Sequence, residues 1–153
     1  MCDIHGHSKT REIIDHSEVI VAVPVDAEEN VLLVEQFRLP TGKTLLELPA
    51  GGIEPGEDVE EAVRRELQEE IGFKPKTLMR MTGFYSAPGF CTEFLHLYLA
   101  KDLVPARLTA EDTEEIKVVP VPIEKISELI TSEKICDGKT IAGLLFYLKY
   151  CQP

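Results

Sequence analysis

GGIEPGEDVEEAVRRELQEEIGF, residues 51–73, runs from a glycine- and proline-rich loop into an amphipathic helix. Val59, Val63, Leu67 and Ile71 recur every four residues, the spacing of an apolar helical stripe. Asp58 stands where an N-cap belongs, Glu61 three residues on is its capping-box partner, and Gly72 sits at the C-cap. At ~100° per residue, Ala62, Glu66, Glu69 and Glu70 share the flank beside the stripe. Glu66 and Glu70 are one turn apart, so their carboxylates converge, at a repulsion of about 0.2–0.5 kcal/mol on an isolated helix. A helix stabilised only by surface pairs would carry Lys or Arg there. Convergent carboxylates are oxygen ligands suited to hard cations such as Mg²⁺ or Mn²⁺. Ala62 leaves room on that flank, and Arg65 can pair with Glu57 or Glu69. The plain alternative is a solvated acidic face.

Outward from this helix, alternating elements predict one α/β domain. Residues 17–25 and 31–37 read as strands joined by a polar turn into a hairpin, and residues 44–48 as a third strand. Residues 78–85 and 93–100 read as strands flanking the loop Ser86-Ala87-Pro88-Gly89-Phe90. Residues 106–115 form an acidic loop, 116–121 a strand, and 123–132 and 139–150 two helices. The sum is a mixed sheet with helices on its faces, an α/β/α arrangement. We expect a short N-terminal segment over residues 1–15 and a single domain over 16–153.

With 153 residues, the chain buries a core without structural disulfides. A net charge of −11 argues against nucleic acid or an anionic membrane surface as partner, since both demand a basic patch. Cys2, Cys91, Cys136 and Cys151 form no CxxC pair and read as reduced thiols of a cytoplasmic protein. No apolar run reaches the ~18 residues of a membrane-spanning helix.

The stretch from Gly51 to Phe73 also resembles a known pattern. Gly51, Glu57, Arg65-Glu66-Leu67, Glu69-Glu70 and Gly72-Phe73 match the Nudix box at all nine fixed positions. The resemblance implies a Nudix-type α/β/α sandwich with a mixed β-sheet, and hydrolysis of a nucleoside diphosphate joined to another group. It also implies metal binding by Glu66, Glu69 and Glu70, with Glu57 and Arg65 supporting the site.

Other stretches are similar to the ADP-ribose pyrophosphatase branch: Glu35-Gln36-Phe37-Arg38, Leu45 to Gly51 (LLELPAG), Tyr85 to Phe90 (YSAPGF), and Ile135 to Thr140 (ICDGKT). Pro88, sixteen residues past Gly72, falls where that branch has a marker proline. The likeness implies that Arg38 contacts the diphosphate, whose oxygens suit a guanidinium. It implies that Glu47 reaches the site and that the Ala50 carbonyl ligates metal beside Glu66 and Glu70. Glu47 packed against Arg38 or Arg65 is the structural alternative. Phe37 or Phe90 is a candidate for stacking on a base, against the commoner role of core aromatic. Pro88 and Gly89 are assigned to the pocket wall, against an ordinary turn.

A general base is still needed, and in this branch an acidic loop supplies it. Glu114 is the positional match, with Asp112 and Glu115 behind it. The resemblance further implies a homodimer, although the segment that helps hold adenine in longer relatives is mostly missing. The expected reaction is Mg²⁺-dependent hydrolysis of ADP-ribose to AMP and ribose 5-phosphate. Alternatives are a broader Nudix activity on other nucleoside diphosphate derivatives or dNTPs, and a catalytically silent ligand-sensing module.

Overall fold

Val19–Pro24 (VIVAVP) is apolar at every position, and such a run is stable only where both faces of the strand are covered. The computed structural model describes residues 2–4, 7–109 and 116–152, with the backbone alone for residues 2–4 and 7–9. Two short strands, β1 (Cys2–Ile4) and β2 (His7–Lys9), pair antiparallel. Val19–Pro24 then forms β3, buried throughout. It lies inside a four-stranded mixed sheet with β6 (Ala50–Gly52), β7 (Phe73–Tyr85) and β8 (Phe94–Pro105), in the order β6-β3-β8-β7. Strand β3 runs parallel to β8 and antiparallel to β6. A second, three-stranded sheet has β4 (Asn30–Arg38) between β5 (Lys43–Glu47) and β9 (Lys117–Pro122), all antiparallel.

Helices cover these strands on two sides. On one, α1 (Val59–Glu70) packs Val63 and Leu67, with Ile71 at its C-cap, against Ile20 and Ala22 of β3, Leu32 and Val34 of β4, and Tyr98 and Ala100 of β8. On the other, Leu144 and Tyr147 of α3 (Gly138–Tyr150), with Ile126 of α2 (Ile126–Thr131), join Val19, Val21, Val23, Leu33, Leu48 and Leu97. Odd- and even-numbered residues of β3 therefore serve different cores, as the two-residue alternation of a strand demands. A 3₁₀ turn over Ile123–Lys125 leads into α2. The expected α/β/α layering with a mixed sheet is what the chain adopts.

The predicted hairpin is not. Strands β3 and β4 meet only at an isolated bridge between Val25 and Val31, and each takes its main partners elsewhere. The turn between them is tight: Asp26 accepts from Glu28 N and Asn30 N, and Glu29 adopts φ 61°. Yet the two strands diverge into separate sheets, because β3 needs cover on both faces. Strand β6 also goes beyond the sequence reading, which takes residues 49–56 as loop. Its glycines let it lie flat beside Val19, Ile20 and Val21.

Candidate active site

Helix α1 begins with Asp58, whose Oδ1 accepts from Glu60 N and Glu61 N; Glu61 itself turns outward to Arg64. Only half of the anticipated capping box forms. The helix ends at Ile71, and Gly72 follows at φ 78°, a conformation that a side chain disfavours. Ala62, Glu66 and Glu70 are buried, so the acidic flank faces β3 and β6 rather than solvent.

Glu66 and Glu70 are 9% and 6% exposed. Burial raises both carboxyl pKa values; repulsion from Glu66 adds to it at Glu70, pushing that group up to about 8, and repulsion from Glu69 and Glu57 adds to it at Glu66. Ala50 N donates to Glu70 Oε2 at 3.1 Å. Gly51 lies so close to Glu66 that a Cβ there would stand 2.0 Å from the carboxylate carbon. The glycine is thus a cradle for the Glu66 head group.

Arg65 gathers the remaining acids. Its Nε and Nη2 donate to Glu57 at 2.8 and 2.9 Å, its Nη1 to Glu66 at 2.7 Å and Glu69 at 3.2 Å, and its Nη2 also to Gly52 O at 2.9 Å. The fork on Glu57 holds that carboxyl below its ordinary pKa. Among the described residues no three acidic, imidazole or thiol side chains already converge as a ready-made metal cluster. The Ala50 N–H and Arg65 hold these oxygens instead. The donor set nevertheless fits a hard divalent cation: it is all oxygen, desolvated, and short of positive charge. Glu66 and Glu70 would hold the ion, with Glu69 and the Ala50 carbonyl beside them.

Arg38 and Glu47 form the second half. Arg38 Nε and Nη2 donate to Glu47 Oε1 and Oε2, each at 2.8 Å. Glu47 is 1% exposed, and Lys139 Nζ also donates to its Oε2. Burial alone would raise the Glu47 carboxyl; the Arg38 and Lys139 contacts outweigh it and hold the group below its usual range. Lys139 reaches Asp137 Oδ2 at 2.8 Å, and Asp137 caps α3 through Thr140 N at 3.0 Å. Sequence reasoning assigns no role to Asp137 and Lys139. The signal was an aspartate three residues before a threonine at a helix start, with a lysine between them.

A cavity of about 820 Å³ is lined by Arg38, Glu47 and Lys139 and by Ala50, Gly51 and Gly52; Glu66 and Glu70 touch Gly51 and Ala50 and do not line it themselves. Its far wall carries His16, Tyr85 and Glu93, which the sequence reading also leaves without a role. A second cavity of about 610 Å³, bounded by Asp26, Leu32, Asp102 and Tyr147, lies away from this chemistry. Phe37 and Phe90 are exposed at 53% and 55%, so neither is a core aromatic, and neither lines the 820 Å³ cavity. Phe37 neighbours Arg38 on β4 and so points to the opposite face. Pro88 and Gly89 are exposed beyond Ser86, the last cavity residue of that loop. Their loop is braced by Phe90 O accepting from Ile14 N at 2.8 Å. Asp112, Glu114 and Glu115 lie outside the described residues.

Known proteins resemble this chain over most of its length. Residues 15–143 match the NUDIX domain model. An ADP-ribose pyrophosphatase of Bacillus subtilis (strain 168) is 36% identical over 93% of this chain and 78% of its own length. A GDP-mannose pyrophosphatase of Yersinia enterocolitica is 34% identical over 76% of this chain and 65% of its own. The crystal structure of an ADP compounds hydrolase superposes with a TM-score of 0.82 at 26% identity, covering 87% of this chain and 71% of that one. Because the matched span takes in the carboxylate helix and the strands carrying Arg38 and Glu47, the chain belongs to the Nudix hydrolase family, on its ADP-ribose pyrophosphatase-like side.

Proposed function

We propose that this enzyme hydrolyses the diphosphate linkage of ADP-ribose, or of a closely related nucleoside diphosphate sugar, with Mg²⁺ as the working ion and Mn²⁺ as a substitute. The observation that carries the reading is the buried pair Glu66 and Glu70, held against Gly51 and Ala50, which line one cavity with Arg38. A divalent cation bound there neutralises phosphate charge and lowers the pKa of an attacking water. Arg38, oriented by its fork on Glu47, binds the diphosphate oxygens. Arg65 keeps Glu57, Glu66 and Glu69 in register. Glu114 is the proposed base that takes the water's proton, with Asp112 and Glu115 as the other candidates. The proposed catalytic unit is residues 16–153, acting in the cytoplasm as a homodimer.

The test is a turnover panel of ADP-ribose, sugar nucleotides, dinucleoside polyphosphates and dNTPs, each with Mg²⁺ and with Mn²⁺. We expect the highest kcat/KM on ADP-ribose with Mg²⁺, giving AMP and ribose 5-phosphate. Fastest turnover of a dNTP would remove the substrate assignment, and silence on every compound would favour a sensing module. The similarity to GDP-mannose pyrophosphatases supports a second reading, a different nucleoside diphosphate sugar, which the same panel separates.

A further inference from the structure

Lys139 is a cation in the cavity wall that the catalytic scheme above leaves without a role. It lies in the first turn of α3, two residues after the capping Asp137. Its ammonium is committed in two directions, to Glu47 Oε2 and to Asp137 Oδ2 at 2.8 Å. Asp137 also takes Thr140 N and the Thr140 hydroxyl, and Thr140 Oγ1 accepts Leu48 N at 2.8 Å, one residue beyond Glu47. The end of strand β5 and the start of helix α3 are therefore tied twice, once through Glu47 and once through Leu48, the residue that follows the strand. Four charges meet there in balance: Arg38 and Lys139 against Glu47 and Asp137.

We propose that Lys139 is a positioning residue of the substrate site, which acts through Glu47 to keep the Arg38 guanidinium aimed into the cavity. The inference rests on the reading that Arg38 meets the diphosphate. Arg38 spends Nε and Nη2 on Glu47, so the plane of its guanidinium follows the plane of that carboxylate. Glu47 is buried, and a buried carboxylate keeps its orientation only while its lone pairs are filled. Without Lys139, Oε2 loses one donor, Asp137 loses its cation, and the quartet carries an excess negative charge where an anionic substrate must enter. Two of the three ammonium donors are spent on the protein, so Lys139 acts first on Glu47 and Asp137.

The experiment is steady-state kinetics on whichever panel compound the wild type hydrolyses fastest. Lys139→Met should raise KM about tenfold and lower kcat by no more than about threefold. Lys139→Arg should return KM to within about threefold of wild type. In a Glu47→Gln background, adding Lys139→Met should change KM by less than about twofold, because the path through the carboxylate is already cut. An unchanged KM in Lys139→Met overturns the proposal. So does the same tenfold rise in both backgrounds, which would mean direct contact with substrate. If Lys139→Met does not fold by circular dichroism, Lys139→Gln is judged by the same limits, since it keeps a donor and drops the charge. If the wild type turns over no compound, the proposed function fails by itself. The ratio of Kd values for ADP titrated in Mg²⁺ by calorimetry then decides the role of Lys139.

Discussion

Gly51 and Glu66 are fifteen positions apart in sequence and in contact in space. A methyl at 51 would overlap the Glu66 carboxylate, the end of a flexible side chain, which can give way only by leaving its place beside Arg65 Nη1 at 2.7 Å. Gly51→Ala should therefore keep the fold and lower kcat by about a hundredfold, the scale expected when a site is displaced by about 1 Å. Turnover close to wild type would mean that Glu66 has a second workable position. For Glu114, replacement by Gln removes the proposed base and leaves the α1 carboxylates intact. The expected loss in kcat is ~10²–10⁴-fold with Mg²⁺ binding unchanged by calorimetry. A near-normal kcat would pass the role to Asp112 or Glu115.

At the scale of elements, the start of α3 joins two parts of the site. Thr140 is fully buried, and its hydroxyl is the acceptor for Leu48 N and a donor to Asp137. Thr140→Val keeps the shape and removes both bonds, leaving a buried N–H unpaired. Chemical denaturation should register a loss of about 1–3 kcal/mol; a change within about 0.5 kcal/mol would show that the junction is held by packing. Gly143 points to tight packing too, since a Cβ there would come within 2.7 Å of Leu48. Helix α1 was legible from sequence because its cap, stripe and terminal glycine are all local signals. The separation of β3 from β4 was not, because a polar turn between two apolar runs looks the same whether the strands pair or part. The short β6 was hidden by glycines that normally mark loops. Glu47 and Arg38 were legible as site residues only through resemblance, and Lys139 was not legible at all. Its partners lie 92 and 2 residues away, and only the fold shows that they belong together.

For the whole molecule, acidity sets the pH response. Glu70 ionises at about 8 in the folded chain against an ordinary value of 4.5. The folded state therefore holds that proton more tightly than the unfolded state does. This contribution to stability is complete below about pH 4.5 and is lost as the pH rises toward 8. A divalent ion needs the ionised form and displaces the proton, so its effect has the opposite trend. The rise in Tm produced by saturating Mg²⁺ should be larger at pH 8.5 than at pH 6, and Glu70→Gln should flatten the difference. An equal rise at both pH values in the wild type would remove Glu70 from the ion site.

Strand β3 gives these parts a common reference. Its even-numbered side chains seat the carboxylate helix, and its odd-numbered ones seat the helix whose first turn holds Lys139. One ribbon of six residues thus serves as the gauge block between two jaws. The span between carboxylates and guanidinium is thereby machined from one piece of stock.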